Sequence, residues 1–167
     1  AAITALMTGE AYRVSAEMAE ALGPFPGFAE NRQHVLRVLR NHRRAAHGAR
    51  EGYEGVHTLP VPLDAEACRD RALVEAARRA WDEAVTAADR FGVRNAQVSV
   101  IAPTGTIGFM MDCDTTGIEP DFALVKFKKL AGGGYFKIIN RMVPKALHTL
   151  GYDDRQIEAI TAYAVGR

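Results

Sequence analysis

Leu73, Ala77, Ala80, Trp81, Ala84, Ala88 and Phe91 recur at steps of three and four residues. That spacing puts them on one face of a helix, and such a face must be covered by other elements. Asp64 is a good N-cap and Gly92 a good residue to end the last turn, so the helix is predicted over about 65–91. Two helices precede it and supply the cover. The first is predicted over 2–22, with Ile3, Leu6, Met7, Met18, Ala21 and Leu22 as its apolar positions. Gly23 and Pro24 stop it. The second is predicted over about 29–47, with a narrow stripe of Val35, Leu36, Val38 and Leu39 and a polar face of Arg32, Arg37, Arg40, Arg43 and Arg44. A Gly- and Pro-containing connection covers 48–63.

The texture changes near residue 96. Gln97-Val98-Ser99-Val100-Ile101 alternates and is rich in β-formers, so a strand is predicted. Pro103 cannot continue it, because proline lacks the donor a ladder needs. A short helix is expected over about 106–112, then a loop over 113–121. Strands at 124–128 and 135–139, with Gly132-Gly133-Gly134 between them, read as a hairpin. Asn140 starts a helix to about 150, and Asp153 or Asp154 caps a last helix over about 155–165. Helices flanking a sheet are the expectation, an α/β arrangement. It divides into a helical part, 1–92, and a part carrying the loop, hairpin and C-terminal helices, 93–167.

Net charge is +1. No bulk field therefore argues for DNA, RNA or a membrane surface as partner. Apolar runs are too short to span a bilayer. The two cysteines, Cys68 and Cys113, make no disulfide scaffold, and a reducing, cytoplasmic setting is expected. The chain opens and closes inside helix-like patterns, without the polar tails that usually end domains. Both ends read as cuts in a longer polypeptide. A cut section leaves apolar faces bare, so self-association, as a homo-oligomer or an aggregate, is expected of the isolated chain.

Ala102-Pro103-Thr104-Gly105-Thr106-Ile107-Gly108 is where chemistry concentrates. Glycine lets backbone approach a ligand closely or adopt positive φ. Two threonines add hydroxyls. A helix starting near Thr106 would present free N–H groups, which suit a phosphate. A plain turn that caps a helix uses the same residues, and spacing alone leaves both readings open. The loop is not a Walker A sequence, since no Gly-Lys-Ser/Thr follows.

The run Arg94 to Gly108 resembles the phosphate-loop region of class II, adenosylcobalamin-dependent ribonucleotide reductases. The similarity continues through Met111-Asp112-Cys113-Asp114-Thr115-Thr116-Gly117-Ile118-Glu119-Pro120-Asp121 and on to Tyr135-Phe136. Leu6-Met7-Thr8-Gly9-Glu10-Ala11-Tyr12 and Arg40-Asn41-His42-Arg43 resemble that family too. The resemblance implies that Pro103, Thr104, Gly105, Thr106 and Ile107 cradle the phosphates of a ribonucleoside di- or triphosphate. It implies a late section of a ten-stranded α/β barrel and adenosylcobalamin in the full-length parent. In that family cobalt–carbon homolysis generates a cysteine thiyl radical, the thiyl takes a ribose hydrogen, the 2′-hydroxyl leaves as water, and a cysteine pair supplies electrons. This chain has no Asn-x-Cys-x-Glu pattern and no suitable cysteine pair. It thus offers no catalytic residue of its own, should be inactive alone, and needs the remainder of the parent chain as partner. A non-catalytic phosphate- or nucleotide-binding module and a helical scaffold protein are the competing readings.

Other groups have blander readings. Cys68 is incidental. Cys113, between Asp112 and Asp114, reads as a buried structural thiol, with a contact near cofactor or substrate as the alternative. Asp112, Asp114, Glu119 and Asp121 form an acidic cluster whose spacing fits no calcium loop, so no metal is expected. Lys126, Lys128 and Lys129 read as guards of a hairpin edge. The arginines of 32–50 read as a solvated helix face, and His57 and His148 as structural.

Overall fold

The computed structural model describes residues 1–111, 113–121, 123–129 and 132–166, and for Thr106, Phe109, Lys128, Phe136 and Ile138 the backbone only. The described elements are α1 (Ala2–Leu22), α2 (Phe28–Ala46), α3 (Arg71–Phe91), α4 (Thr106–Met110), β1 (Val125–Lys129), β2 (Tyr135–Ile139), α5 (Met142–Thr149) and α6 (Asp154–Val165). They fall into two compact units, Ala1–Val100 and Ile101–Arg167.

In the helical unit α3 is central, and α1 and α2 both pack on it. Its buried face is Val74, Ala77, Ala80, Trp81, Ala84, Val85 and Ala88, close to the predicted stripe. The helix begins six residues later than predicted. Asp70 is its N-cap and accepts from the Leu73 N–H at 3.0 Å. Asp64 caps only a turn, accepting from the N–H groups of Glu66 and Ala67. Both aspartates satisfy orphan donors, and only the second opens the long helix. Gly92 ends it at φ +78°. A Cβ there would lie 2.8 Å from both Phe28 and Pro24, so glycine is required by conformation and by space.

The buried face of α1 departs from expectation. Ile3, Met7, Met18 and Leu22 are exposed, while Ala2, Gly9, Tyr12, Ser15, Ala16 and Ala19 are buried. Small residues let the α1 and α3 backbones approach closely, and the bulky apolar residues are left on the outer side. At Gly9 the approach is tightest: an added Cβ would stand 3.0 Å from Cδ1 and Nε1 of Trp81. The Trp81 indole is 1% exposed and donates to the Ala5 carbonyl at 2.9 Å. His42 stacks on it at 5.0 Å, and Tyr12 tilts against it at 5.9 Å. Burial of the His42 ring lowers its pKa below the ordinary histidine value.

The strand predicted over 97–101 does not form. The preceding residues are bonded instead to α1 and the turn after it. Phe25 N–H donates to the Val93 carbonyl, Arg94 N–H to the Ser15 carbonyl, and Asn95 N–H to Ser15 Oγ. The Thr8 and Ser99 hydroxyls meet at 3.1 Å. A strand needs a neighbouring strand, and none among the described residues lies beside 97–101, so alternation alone yields an extended run. Val100 and Ile101 are 82% and 61% exposed.

In the second unit β1 and β2 form the expected antiparallel hairpin, with Val125 opposite Ile139 and Lys129 opposite Tyr135. The α5 helix follows. Asn140 Oδ1 accepts from the Met142 N–H at its start. Asp153 and Gln156 form a reciprocal capping box on α6. No helix among the described residues is long and apolar enough to cross a membrane.

Candidate functional site

Pro103 to Ile107 lie in the second unit, where the chain passes from an extended run into α4. Pro103 contributes a fixed φ and no N–H donor. Pro103, Thr104, Gly105 and Ile107 are exposed, Ile107 by 65%. Gly105 has φ +57°, and a Cβ built on it would meet nothing within 4 Å. Open space in front of a left-handed residue is what a loop needs if a ligand is to approach its backbone. Thr106 is the first residue of α4, and its side chain lies outside the described atoms. Donors at the start of a helix have no intrahelical acceptor. Two residues on, the donor is engaged: Gly108 N–H bonds to the Gly105 carbonyl at 3.1 Å.

A second segment holds this loop from behind. The N–H of Thr104 and its hydroxyl both donate to the Thr116 carbonyl, the hydroxyl at 2.7 Å. A Cβ on the buried Gly108 would come within 2.8 Å of Thr104 Oγ1 and 3.2 Å of the Thr115 carbonyl. Gly117 faces Pro103 Cα, 3.4 Å from where its Cβ would be. The segment is itself braced, with Thr115 Oγ1 donating to the Gly117 carbonyl and Thr116 Oγ1 to Glu119 Oε1, both at 3.0 Å. The sequence marks a loop over 113–121 but carries no signal for the contact of Thr116 with a residue twelve positions earlier.

The acidic cluster is paired internally. Asp121 is almost fully buried and accepts Lys126 Nζ at 2.7 Å on one oxygen and Asn140 Nδ2 at 2.7 Å on the other. Lys126 and, less strongly, Asn140 hold its carboxyl below the usual range against the cost of burial. Lys126 also donates to the Asp114 carbonyl, and Arg141 reaches the Asp114 carboxylate at 3.3 Å. Asp112 lies outside the described residues. Lys126 is thus no edge guard: its neighbours in the acidic loop draw it inward. Lys129 is exposed as expected. Cys113 is not buried but exposed. Cys68 is half-buried, and its thiol lies 3.5 Å from the Asp70 carbonyl. His57 and His148 are exposed.

In the helical unit the arginine face is not simply solvated. Arg40 grips Glu54 with two donors at 2.9 and 2.6 Å, and Arg44 adds a third at 2.8 Å. Asn41 bonds both the carbonyl and the N–H of Glu54 at 2.9 Å. The guanidinium groups of Arg40 and Arg44 push the Glu54 pKa down to about 2. Arg32 pairs with Asp89, and Arg43 and His47 with Asp82. The Arg40-Asn41-His42-Arg43 run thereby ties the loop after α2, and α3, to one helix.

The chain matches the family model described as ribonucleotide reductase, barrel domain, over residues 1–166. It is 66% identical over 165 residues to a vitamin B12-dependent ribonucleotide reductase of Agrobacterium fabrum, covering 99% of this chain and 13% of that protein. It is 64% identical to the protein of the same name from Bradyrhizobium diazoefficiens, with the same coverages. A third, from Streptantibioticus cattleyicolor, is 49% identical over 97% of this chain and 25% of its own length. The chain spans about an eighth of the length of the first two relatives.

Proposed function

This chain belongs to the ribonucleotide reductase barrel-domain family, and we propose that it supplies the substrate-phosphate loop of a vitamin B12-dependent ribonucleotide reductase. The substrate class is a ribonucleoside di- or triphosphate, reduced to its 2′-deoxy form by the full-length parent. The observation that carries the reading is the loop at Pro103–Ile107. It opens a helix at Thr106, leaves open space before a left-handed Gly105, and is exposed at Pro103, Thr104, Gly105 and Ile107. A phosphate is met there by backbone donors and the positive end of the helix. Glu119, just after the bracing segment, is held by the Thr116 hydroxyl.

The radical-bearing groups belong to the remainder of the parent chain, the immediate partner of this segment. Adenosylcobalamin is the parent's cofactor and supplies the radical when bound. The contribution of this segment is to the substrate, through the loop at Pro103–Ile107. The parent is assigned a ten-stranded α/β barrel, in which the largely exposed run Gln97–Ile101 finds the strand neighbour it lacks here. Two unbridged cysteines suit a reducing cytoplasm.

The test is made in the full-length parent. Gly105→Val puts a β-branched side chain at positive φ and into the ligand space. Thr106→Pro removes a backbone donor. Each is expected to raise the KM for a ribonucleotide at least about tenfold, the worth of one charge-assisted hydrogen bond. Unchanged KM values for both variants would show that the phosphate binds elsewhere.

A further inference from the structure

The loop holds two threonines, and the structure gives them different positions in the hydrogen-bond economy. A hydroxyl carries one hydrogen. That of Thr104 lies 2.7 Å from the Thr116 carbonyl, which also accepts from the Thr104 backbone N–H. Its remaining capacity is as an acceptor, and a phosphate oxygen carrying negative charge has no hydrogen to give it. Thr104 therefore faces the bracing segment chemically even though it belongs to the loop in sequence. The fit around it is close. A single methyl on Gly108 would overlap Thr104 Oγ1 at 2.8 Å, and the Thr115 carbonyl lies 3.2 Å from the same point.

We propose that Thr104 is a positioning residue rather than a phosphate ligand. By giving both of its donors to the Thr116 carbonyl, it fixes the path of the backbone into Gly105 and α4, so that the donors of Gly105–Ile107 converge before substrate arrives. The inference rests on the phosphate-loop reading above and narrows the direct contacts to Gly105, Thr106 and Ile107. It also assigns Thr115–Gly117 a role in substrate affinity, through the hold of the Thr116 carbonyl on Thr104.

The experiment uses the full-length parent loaded with its cofactor, with cytidine diphosphate and cytidine triphosphate as separate probes. Thr104→Ala removes the hydroxyl and Thr104→Ser keeps it. Two readouts are taken: KM against kcat, and amide hydrogen exchange over 104–117 in the enzyme without nucleotide. Thr104→Ala is expected to raise KM about fivefold, the worth of one neutral hydrogen bond, with a much smaller change in kcat. Exchange over 104–117 should quicken before any ligand is added, and Thr104→Ser should restore both. Gly108→Ala, which crowds the same hydroxyl and leaves Thr104 in place, should reproduce the Thr104→Ala pattern. It also serves if Thr104→Ala folds poorly.

A raised KM with unchanged exchange in the nucleotide-free enzyme would overturn the proposal, because the hydroxyl would then be donating to the phosphate itself. A wild-type KM in both Thr104→Ala and Gly108→Ala would also overturn it. Gly105→Val separates the two levels of the argument. If it weakens nucleotide binding while Thr104→Ala does not, only the positioning role fails. If neither has an effect, the phosphate-loop reading fails with it.

Discussion

Gly9→Ala sets two opposing effects against each other. Alanine in a helix interior is favoured over glycine by about 1 kcal/mol. Read as a helix alone, α1 should gain. The added Cβ, however, would stand 3.0 Å from Cδ1 and Nε1 of Trp81 and 3.3 Å from the Ala80 Cβ. The indole has little freedom to withdraw. It is buried, tied through Nε1 to the Ala5 carbonyl, stacked by His42 and flanked by Tyr12. Overpacking a site of that kind costs about 1–3 kcal/mol, and a pinned indole places it toward the upper end. The net expectation is destabilisation of the α1–α3 contact by about 1–2 kcal/mol. Amide exchange of α1 in the full-length protein should then quicken about five- to thirtyfold. Trp81→Phe in the same chain removes the crowded Nε1 and its bond to Ala5, which frees the ring to shift, so the penalty of Gly9→Ala should shrink in that background, a coupling read from the double-mutant cycle. Slower exchange in Gly9→Ala would refute the reasoning, since propensity would have outweighed packing.

Glu54 gives a pH signature. Its folded pKa of about 2 lies below the ordinary 4.5. Its stabilising contribution is therefore complete above pH 4.5 and is lost as pH falls toward 2. With its side chain 34% exposed, solvent screening reduces the expected worth to about 1 kcal/mol. Exchange over 49–55 should quicken across that window in the native protein, and Glu54→Gln should abolish the pH dependence; an unchanged profile would sink the idea. Asp70→Ala should cost about 1 kcal/mol by removing the cap of α3. Asp64→Ala should leave α3 protection nearly intact, and equal effects of the two would show that the helix starts at the earlier site.

Local signals carried much of the fold. Gly23-Pro24 ended α1 where expected, Asp153 capped α6, and the glycine run between two β-rich stretches made the hairpin. What could not be read depended on partners. The large apolar residues of α1 drew attention to the wrong face, because close helix contact selects small residues and Gly9, Ala16 and Ala19 carry little hydrophobic signal. Gln97–Ile101 has strand chemistry, yet pairing is a property of two segments. Asp64 and Asp70 are equally good caps until the packing of α3 selects one. For the site, Pro103 to Ile107 stood out through glycine and proline, and Arg40-Asn41-His42-Arg43 through family likeness. The hold of Thr116 on Thr104, and of Arg40 on Glu54, joins residues more than ten positions apart and leaves no local mark.

The Thr104–Thr116 closure turns a string into a ring. With both donors of one residue on the carbonyl of another, the eleven positions between them form a circuit of set circumference. Such a circuit tolerates changes of side chain more readily than changes of length. One residue added or removed there has no free end along which to slide, so it must bulge outward or open the closure. Tuning of the loop is thus confined to what each position carries, and any tolerated insertion belongs outside the span from 104 to 116.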